Sequence, residues 1–315
     1  AASDVYKRQE YTPSQVIVNC GAKHSIYLAI QALVDEGDEV VIPVPYWVSY
    51  PEQVRLAGGR PVLAGTGGDL KLTPEVLREA LSSRTKAVII NSPCNPSGVV
   101  YTEEELEALG EVLVEAGVWV ISDEIYEKLI YNGQGHFSIA SVVPELKKRT
   151  VVVNGVSKAY AMTGWRIGYA AGPEEVISAM GKIQSQETSN PNSIAQAAAL
   201  AALTGPQECV WEMVRAFDER RRYVVGRLQA MPGVSCPTPQ GAFYVFPEVS
   251  GLGGRARDSA ELCGWLLEEV EVACVPGVGF GMEGRIRISY AAGMEALERA
   301  MDRLEEGFRK VREEG

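Results

Sequence analysis

The sequence predicts an α/β fold, in which a mostly parallel sheet carries helices on both faces, followed by a smaller α+β domain at the C-terminal end. Short β-rich apolar runs alternate along the chain with segments whose apolar residues recur at helical spacing. Several of these runs end in polar residues and turn signals, and open α/β sheets bind ligands at the carboxyl ends of their strands. The 315 residues suffice for one large domain and one smaller domain.

The composition argues against several classes of function. A formal net charge of -11 argues against nucleic acid and against an anionic membrane as partners, because both require a basic surface. No apolar run approaches the length of a membrane-spanning helix and no signal segment opens the chain, so we expect a cytoplasmic protein. The six cysteines include no C-x-x-C pair and there are only two histidines, so the sequence predicts neither a metal site nor a histidine-dependent hydrolase.

The elements of the large domain follow from local signals. Gly37 supplies a stop for the first helix, and Thr73-Pro74 places a cap and a proline at the start of another. Thr102 and Glu105 form a capping box at the start of a third helix. The predicted strands span residues 16–18, 39–42, 86–91, 118–123, 151–153 and 166–171, and the predicted helices span residues 26–34, 73–81, 102–116, 173–185 and 193–203.

The C-terminal part has the pattern of an α+β domain. A long charge-rich helix over residues 206–231 bridges to it, and the cluster Arg220-Arg221-Arg222 is expected to face solvent. Strands are predicted over residues 241–246, 272–275 and 285–289, and helices over residues 259–268 and 294–314. We expect residues 10–210 to form the large domain and residues 211–315 the small domain.

The most informative stretch is residues 150–172, TVVVNGVSKAYAMTGWRIGYAAG. An apolar strand breaks at an Asn-Gly pair and presents Ser157 and Lys158 on a turn just past its carboxyl end. A partly desolvated lysine near other cations can have the lowered pKa that imine formation requires, and a guanidinium such as that of Arg166 is a bidentate partner of phosphate. The pair suggests a Schiff base to a phosphorylated aldehyde, although a surface lysine before an ordinary strand gives the same bare pattern.

Other strand ends carry side chains that allow two interpretations each. Gly21 and Ala22 form a corner before a helix, which is either a phosphate site at the helix N-terminus or a simple turn. Trp47 can stack on a pyridine ring or pack in the core. Asn95, in a rigid loop with two prolines, can hold its amide toward a ligand or belong to a plain turn. Asp123 ends an apolar strand, where a carboxylate needs a positive partner unless it caps a helix.

Together these segments resemble the class I aminotransferases, fold-type I enzymes that use pyridoxal 5'-phosphate (PLP). The matching runs are SKAYAMTGWRIGYAAG, GAKHSIYLAIQALVDEGDEVVIPVPYWVSYPEQVRLAGG, NSPCNPSG and SDEIYEKLIY, and the resemblance covers nearly everything from Val16 to the C-terminus. It implies a PLP-binding large domain and an aminotransferase activity. Cys94 and Ser97 depart from the family's NPTG loop, and Gly155 stands where the family often has a serine.

The resemblance also implies roles for individual residues around the cofactor. Lys158 is implied to bind PLP covalently and to act as general base and acid. Asp123 would pair with the ring nitrogen, while Asn95 and Tyr126 would contact the phenolic oxygen. Trp47 would stack on the ring and face the substrate as well.

Phosphate and substrate contacts are implied in the same way. The implied phosphate ligands are Gly21, Ala22, Lys23, Ser157 and Arg166. Arg285 and Arg287 share one face of a predicted strand, and Arg287 would clamp the α-carboxylate of the substrate by two parallel hydrogen bonds, beside Asn95 and Trp47. Lys23 resembles the lysine that some aspartate aminotransferases use for a distal carboxylate.

We therefore expect PLP-dependent transamination between aspartate or glutamate and 2-oxoglutarate or oxaloacetate, with prephenate as a further candidate substrate. Small-molecule amino acids and 2-oxo acids are the expected partners. Two alternatives in the same fold stay open, another amino-acid aminotransferase and a C–S lyase, which product analysis would separate. A third is the PLP-binding domain of a transcription regulator, which the upstream reading frame would decide.

The N-terminal end raises a separate expectation. Residues 1–9, AASDVYKRQ, resemble a translated sequencing-adapter read-through without an initiator methionine. In the resembled family, an N-terminal arm, a glycine at the substrate carboxylate and a tyrosine reaching the neighbouring subunit's cofactor phosphate all precede the phosphate corner. We expect a homodimer when the protein is full length, and an inactive fragment in the chain as written.

Overall fold

The computed structural model describes residues 10–314, so the segment 1–9 that resembles adapter sequence lies outside the described residues. The strands are β1 (Val16–Asn19), β2 (Glu39–Val44), β3 (Arg60–Gly65), β4 (Thr85–Asn91), β5 (Trp119–Asp123), β6 (Thr150–Gly155), β7 (Gly168–Ala171), β8 (Tyr244–Val245), β9 (Val275–Pro276) and β10 (Ile286–Ser289). The helices are α1 (Ala22–Leu33), α2 (Ser49–Leu56), α3 (Pro74–Ala80), α4 (Glu103–Ala116), α5 (Ile139–Val142), α6 (Glu174–Glu187), α7 (Ser193–Thr204), α8 (Glu208–Ala230), α9 (Ser259–Val270) and α10 (Met294–Glu314). None of the helices within residues 10–314 combines the length and the apolar character needed to cross a bilayer.

A seven-stranded sheet in the order β1-β7-β6-β5-β4-β2-β3 forms the centre of the molecule. The strands from β3 to β6 pair in parallel, which confirms the predicted fold class. The exception is β7, which runs antiparallel to both β6 and β1. Because both of its neighbours oppose it, β1 runs in the same direction as β6.

Both faces of this sheet are covered by helices. Side chains alternate along a strand, so neighbouring residues enter different cores. Ile42 and Ile89 are buried in one core with α1, α2 and α6, while Val41 and Val88 are buried in the other with α3 and α4. Strands that are buried on both faces are expected to be near-continuous apolar runs, which is why their sequences were recognisable.

The C-terminal part forms a smaller, antiparallel three-stranded sheet in the order β8-β10-β9, packed with α8, α9 and α10. The strand predicted over residues 272–275 is wrong except for Val275, since β9 is Val275–Pro276. The first strand, β8, is shorter than predicted, because Ala242 takes a left-handed φ of 58° and Gly241 makes an isolated bridge to Ile130. That conformation interrupts the ladder before Tyr244. We still propose that the boundary between the two domains lies at residue 210. The apolar residues of α8 from Phe217 onward pack in the core of the smaller domain.

Three local expectations are corrected by the structure. Helix α1 ends at Leu33, before Gly37, because Val34 already has extended backbone angles. Arg166 does not open β7, since it takes a left-handed φ of 56° after a short 3-10 helix and the strand starts at Gly168. The first two differences lie at element boundaries, where a few residues decide the backbone path.

Arg221 is the third correction, because it is buried although the Arg220–Arg222 cluster was expected to face solvent. Its guanidinium donates to the carbonyl oxygen of Pro239 at 2.9 Å, to Asn132 Oδ1 at 2.9 Å and to Asp218 Oδ1 at 2.6 Å. A buried arginine is tolerated when its donors and charge are satisfied in this way. The helix pattern alone does not contain these partners, since two of them come from distant segments.

Gly168 offers a test of how β7 fits against the start of α1. A Cβ at Gly168 would lie 2.3 Å from Ala22 N and 2.4 Å from Gly21 C, both rigid backbone atoms. We expect Gly168→Ala to lower the free energy of unfolding by about 1–3 kcal/mol, measured by urea denaturation. The control is Gly164→Ala, where a Cβ meets no atom within 4 Å. Equal stability of the two variants would contradict this packing.

Candidate active site

One edge of the seven-stranded sheet collects the predicted site residues. Strands β1, β2, β4, β5 and β6 run in one direction, so their carboxyl ends lie together at this edge. The antiparallel β7 starts there, which brings Arg166 to the same place. The edge opens into a cavity of about 310 Å³. Ten sequence-predicted residues line it: Ala22, Lys23, Trp47, Asn95, Asp123, Tyr126, Ser157, Lys158, Arg166 and Arg287.

Gly21, the eleventh predicted residue, lies outside the cavity lining but against Arg166. A Cβ at Gly21 would be 2.3 Å from Arg166 Nη2, and the φ of 89° also disfavours a side chain there. Arg166 is anchored by donating to the carbonyl oxygens of Thr163 at 2.7 Å and Cys20 at 3.4 Å. The N-terminus of α1 has no side-chain cap. A guanidinium beside an uncapped helix N-terminus is suited to binding an anion.

Lys158 lies just past β6, half-buried, with Nζ 5.7 Å from the centroid of the Tyr126 ring. Burial lowers the pKa of this ammonium group, and the positive charges of Arg287 and Arg166 lower it further, while Asp123 opposes them. A lowered pKa increases the fraction of neutral amine at a given pH. Neutral amine is the form that attacks a carbonyl carbon, so the position suits covalent chemistry.

Asp123 ends β5 and is only 3% exposed. Tyr50 donates its hydroxyl hydrogen to Oδ2 at 2.6 Å, and the backbone N–H of Ile125 donates to Oδ1 at 3.2 Å. Burial raises the carboxyl pKa to about 6, the hydrogen bonds and Lys158 oppose this rise, and the Glu124 charge adds to it. The net rise means that the ionised carboxylate is incompletely compensated. A cation in the cavity would supply the missing stabilisation.

The loop after β4 is fixed by amide contacts that leave one group of Asn95 available. The Asn95 backbone N–H donates to Asn91 Oδ1 at 2.8 Å, and Asn91 Nδ2 donates to the carbonyl oxygen of Asp123 at 3.0 Å. Arg287 Nη1 donates to Asn95 Oδ1 at 2.9 Å. With Oδ1 engaged, the NH₂ group is the part of the Asn95 side chain that can donate to a ligand.

The two strand arginines have different surroundings. Arg287 Cζ lies 4.4 Å from the centroid of the Tyr244 ring, and its Nε is buried without a hydrogen-bond partner among the described residues. Arg285 lies outside the cavity lining and donates to Glu248 at 3.1 Å and to the carbonyl oxygen of Phe246 at 3.1 Å. Arg287 therefore has donor capacity for a planar anion in the cavity, whereas Arg285 is already engaged.

Lys23 and Trp47 lie together in the lining. The Lys23 side chain is exposed, and its Nζ lies 4.9 Å from the centroid of the Trp47 ring. This arrangement leaves an ammonium group that both contacts an aromatic face and reaches solvent. Ser157 is 7% exposed and also faces the cavity.

Sequence reasoning missed two tyrosines in the cavity lining, Tyr50 and Tyr244. Tyr50 donates to Asp123, and the hydroxyl groups of Tyr244 and Tyr126 are 2.9 Å apart. Tyr50 lies in the first turn of α2, a helix that was not predicted, and its partner is 73 residues away in the sequence. No local signal marks Tyr244, because its partner comes from the other sheet.

The known proteins that resemble this chain are enzymes. The family model for aminotransferase class I and II matches residues 2–304. An aspartate aminotransferase of Geobacillus stearothermophilus is 55% identical over 300 residues, covering 94% of this chain and 76% of that protein. An aspartate/prephenate aminotransferase of Cereibacter sphaeroides is 51% identical over 306 residues, with 94% and 76% covered.

Solved structures agree with the sequence comparisons. The crystal structure of the aspartate aminotransferase from Rhizobium meliloti matches with a TM-score of 0.93 and 43% identity, covering 96% of this chain and 78% of that one. The family model spans most of the chain, and the relatives are well above the identity at which a family assignment is secure. The chain therefore belongs to the class I and II aminotransferase family.

Proposed function

We propose that this protein transfers the amino group of aspartate or glutamate to 2-oxoglutarate or oxaloacetate, with PLP as cofactor. The observation that carries the proposal is a cavity in which an amine of lowered pKa, Lys158, lies near a buried carboxylate, Asp123, and two guanidinium groups. Relatives named aspartate aminotransferase support the substrate class.

The donor set fits PLP group by group. The incompletely compensated Asp123 carboxylate suits a protonated ring nitrogen, and Arg166 beside the α1 N-terminus suits a phosphate. Ser157 and Ala22 lie in the same lining as further phosphate contacts. Asn95 and Tyr126 offer hydrogen-bond donors to a phenolic oxygen. Trp47 offers an aromatic face for the ring.

The chain's own residues would bind the substrate and move one proton. When bound, PLP supplies an electron sink for the electrons released at the substrate Cα. The neutral Nζ of Lys158 takes the proton from this Cα and later returns a proton, acting as general base and then as general acid. Arg287 orients the substrate by binding its α-carboxylate, beside Asn95 and Trp47.

Lys23 is the proposed determinant of substrate choice. Its ammonium group lines the cavity but is exposed, so it can meet the distal carboxylate of a dicarboxylic substrate without a buried-charge penalty. Prephenate, which appears in the names of several relatives, also carries two carboxylates and stays a candidate.

A homodimer is part of the proposal. Beside Arg166 lies an open depression of about 670 Å³, lined in part by Trp165 and Ile194. Their side chains are 48% and 72% exposed, which is unusual for large apolar groups next to a polar site. Such surfaces mark contacts with other molecules, and a second copy of the chain would cover this one.

The role of Asp123 predicts a pH-dependent change in stability of the cofactor-free protein. Because the folded pKa of about 6 lies above the ordinary value near 3.9, stability from this group is present below about pH 4 and is lost as the pH rises through 6. Wild type loses this stabilisation as the pH rises, whereas the amide of Asp123→Asn does not titrate. The unfolding free energy of the variant minus that of wild type should therefore increase by about 3 kcal/mol from pH 4 to pH 7. Urea denaturation across this range measures the gain.

With PLP bound, wild type should instead be the more stable protein. The neutral amide of Asp123→Asn does not offset the positive charge of a protonated ring nitrogen, so the variant should bind PLP more weakly than wild type. The control is Asp35→Asn, at an exposed carboxylate. If the stability difference between Asp123→Asn and wild type did not vary with pH, the buried carboxylate would not be the group described. Equal PLP affinity would contradict its pairing with the cofactor.

A substrate panel, run on a preparation that catalyses aspartate transamination, tests the role of Lys23. Lys23→Ala should lower kcat/KM for aspartate by about 10- to 100-fold, since a charge-assisted hydrogen bond contributes about 1.5–3 kcal/mol. The value for alanine, which has no distal carboxylate, should change by less than about threefold. Lys182→Ala, at an exposed lysine of α6, is the matched control. An unchanged preference for aspartate over alanine would refute the role of Lys23.

The same assay identifies the reaction type. Transamination of aspartate with 2-oxoglutarate yields oxaloacetate and glutamate without release of ammonia. Pyruvate and ammonia formed from a sulfur-containing amino acid, without transfer to 2-oxoglutarate, would favour the C–S lyase alternative.

A further inference from the structure

Tyr126 and Tyr244 form a buried hydroxyl pair between the two sheets. Tyr126 lies just past β5 of the large sheet, and Tyr244 lies in β8 of the small one. Their hydroxyl oxygens are 2.9 Å apart, and the rings pack edge to face with their centroids 5.9 Å apart. The side chains are 3% and 6% exposed, so water is largely excluded from the pair.

Together with the proposed role of Tyr126, a count of the hydroxyl hydrogens assigns a direction to this hydrogen bond. Burial raises the pKa of both hydroxyl groups, so each carries its hydrogen at neutral pH. A phenol donates only one hydrogen. If Tyr126 donates its hydrogen to the phenolic oxygen of PLP, as the proposed function requires, it can only accept from Tyr244. Tyr244 then has to be the donor.

The surroundings of Tyr244 support this direction. Among the described residues, Tyr126 is the hydrogen-bond partner of the Tyr244 hydroxyl. Arg287 lies over the Tyr244 ring at 4.4 Å and donates to Asn95, so the guanidinium that packs on this ring is itself held in place. The charged groups that act on Tyr126 are Asp123 and Arg287.

We propose that Tyr244 is a positioning residue that donates to the Tyr126 hydroxyl and so directs the hydrogen of Tyr126 toward the cofactor. The inference rests on the proposed function, because it concerns the same site. A donated hydrogen bond polarises the acceptor hydroxyl and makes it a stronger donor in turn. Tyr244 would thus strengthen the contact that stabilises the deprotonated phenolic oxygen, without touching it.

The test uses Tyr244→Phe in the PLP-loaded protein, which removes the hydroxyl and keeps the ring beneath Arg287. The readout is the pH midpoint at which the visible absorbance of bound PLP changes. Without Tyr244, Tyr126 stabilises the deprotonated phenolic oxygen less, so the midpoint should rise by about half a pH unit. Tyr126→Phe should raise it further, and adding Tyr244→Phe to Tyr126→Phe should cause no additional rise.

The outcomes separate this inference from the proposed function. A midpoint that rises in Tyr126→Phe but not in Tyr244→Phe would overturn the positioning role alone. Additive shifts in the double variant would also overturn it, because Tyr244 would then act independently of Tyr126. An unchanged midpoint in Tyr126→Phe would refute the assigned role of Tyr126, and the inference with it.

Two controls isolate the effect of the Tyr244 hydroxyl. Tyr223→Phe removes a hydroxyl that accepts from Arg227 at 2.7 Å, away from the cavity, and should leave the midpoint unchanged. The dissociation constant of succinate, an unreactive dicarboxylate, should be equal in wild type and Tyr244→Phe, because the ring under Arg287 is retained. A tenfold loss of succinate affinity would show that Tyr244 acts through Arg287, against the proposal.

Discussion

The arrangement of the cavity depends on a carboxylate kept almost entirely out of water. Asp123 ends a strand that is buried on both faces, so the apolar core that builds the sheet also desolvates its charge. Tyr50 and one backbone N–H compensate only part of the cost, and the carboxyl pKa stays raised to about 6. A cation that binds next to this carboxylate would therefore stabilise its ionised form. Lys158 follows the neighbouring strand and lies in the same cavity as Asp123. Burial and the nearby arginines destabilise its ammonium form, so its pKa is lowered.

Sheet topology brings the other groups to this carboxylate. Parallel strands deliver loops to one edge, and the reversed β7 adds the residue before its start, Arg166, next to the first turn of α1. The absence of a side chain at Gly21 leaves room for the Arg166 guanidinium. The absence of one at Gly168 lets β7 lie against the start of α1. The smaller sheet completes the cavity from the other side with Arg287 and Tyr244. A guanidinium beside a helix start, a buried carboxylate and an amine are therefore adjacent because of the order and direction of the strands.

Much of the site was predictable because its residues follow recognisable strands. Lys158, Asp123 and Asn95 each come at or just after the end of a buried apolar run, and parallel packing brings such ends together. Tyr50 and Tyr244 were missed because their partners lie 73 and 118 residues away in the sequence. For the same reason a helix pattern could not indicate that Arg221 is buried, since its acceptors at Asn132 and Pro239 come from other segments. Local patterns encode strand ends, whereas paired polar groups depend on tertiary contacts.

The central claim is that Lys158 bears the cofactor, and peptide mapping tests it most directly. The protein is loaded with PLP, reduced with borohydride, digested and analysed by mass spectrometry. We expect one modified peptide, carrying the reduced adduct on Lys158, and its loss in Lys158→Ala but not in Lys182→Ala. A stoichiometric adduct on another lysine, or one that persists in Lys158→Ala, would contradict the account.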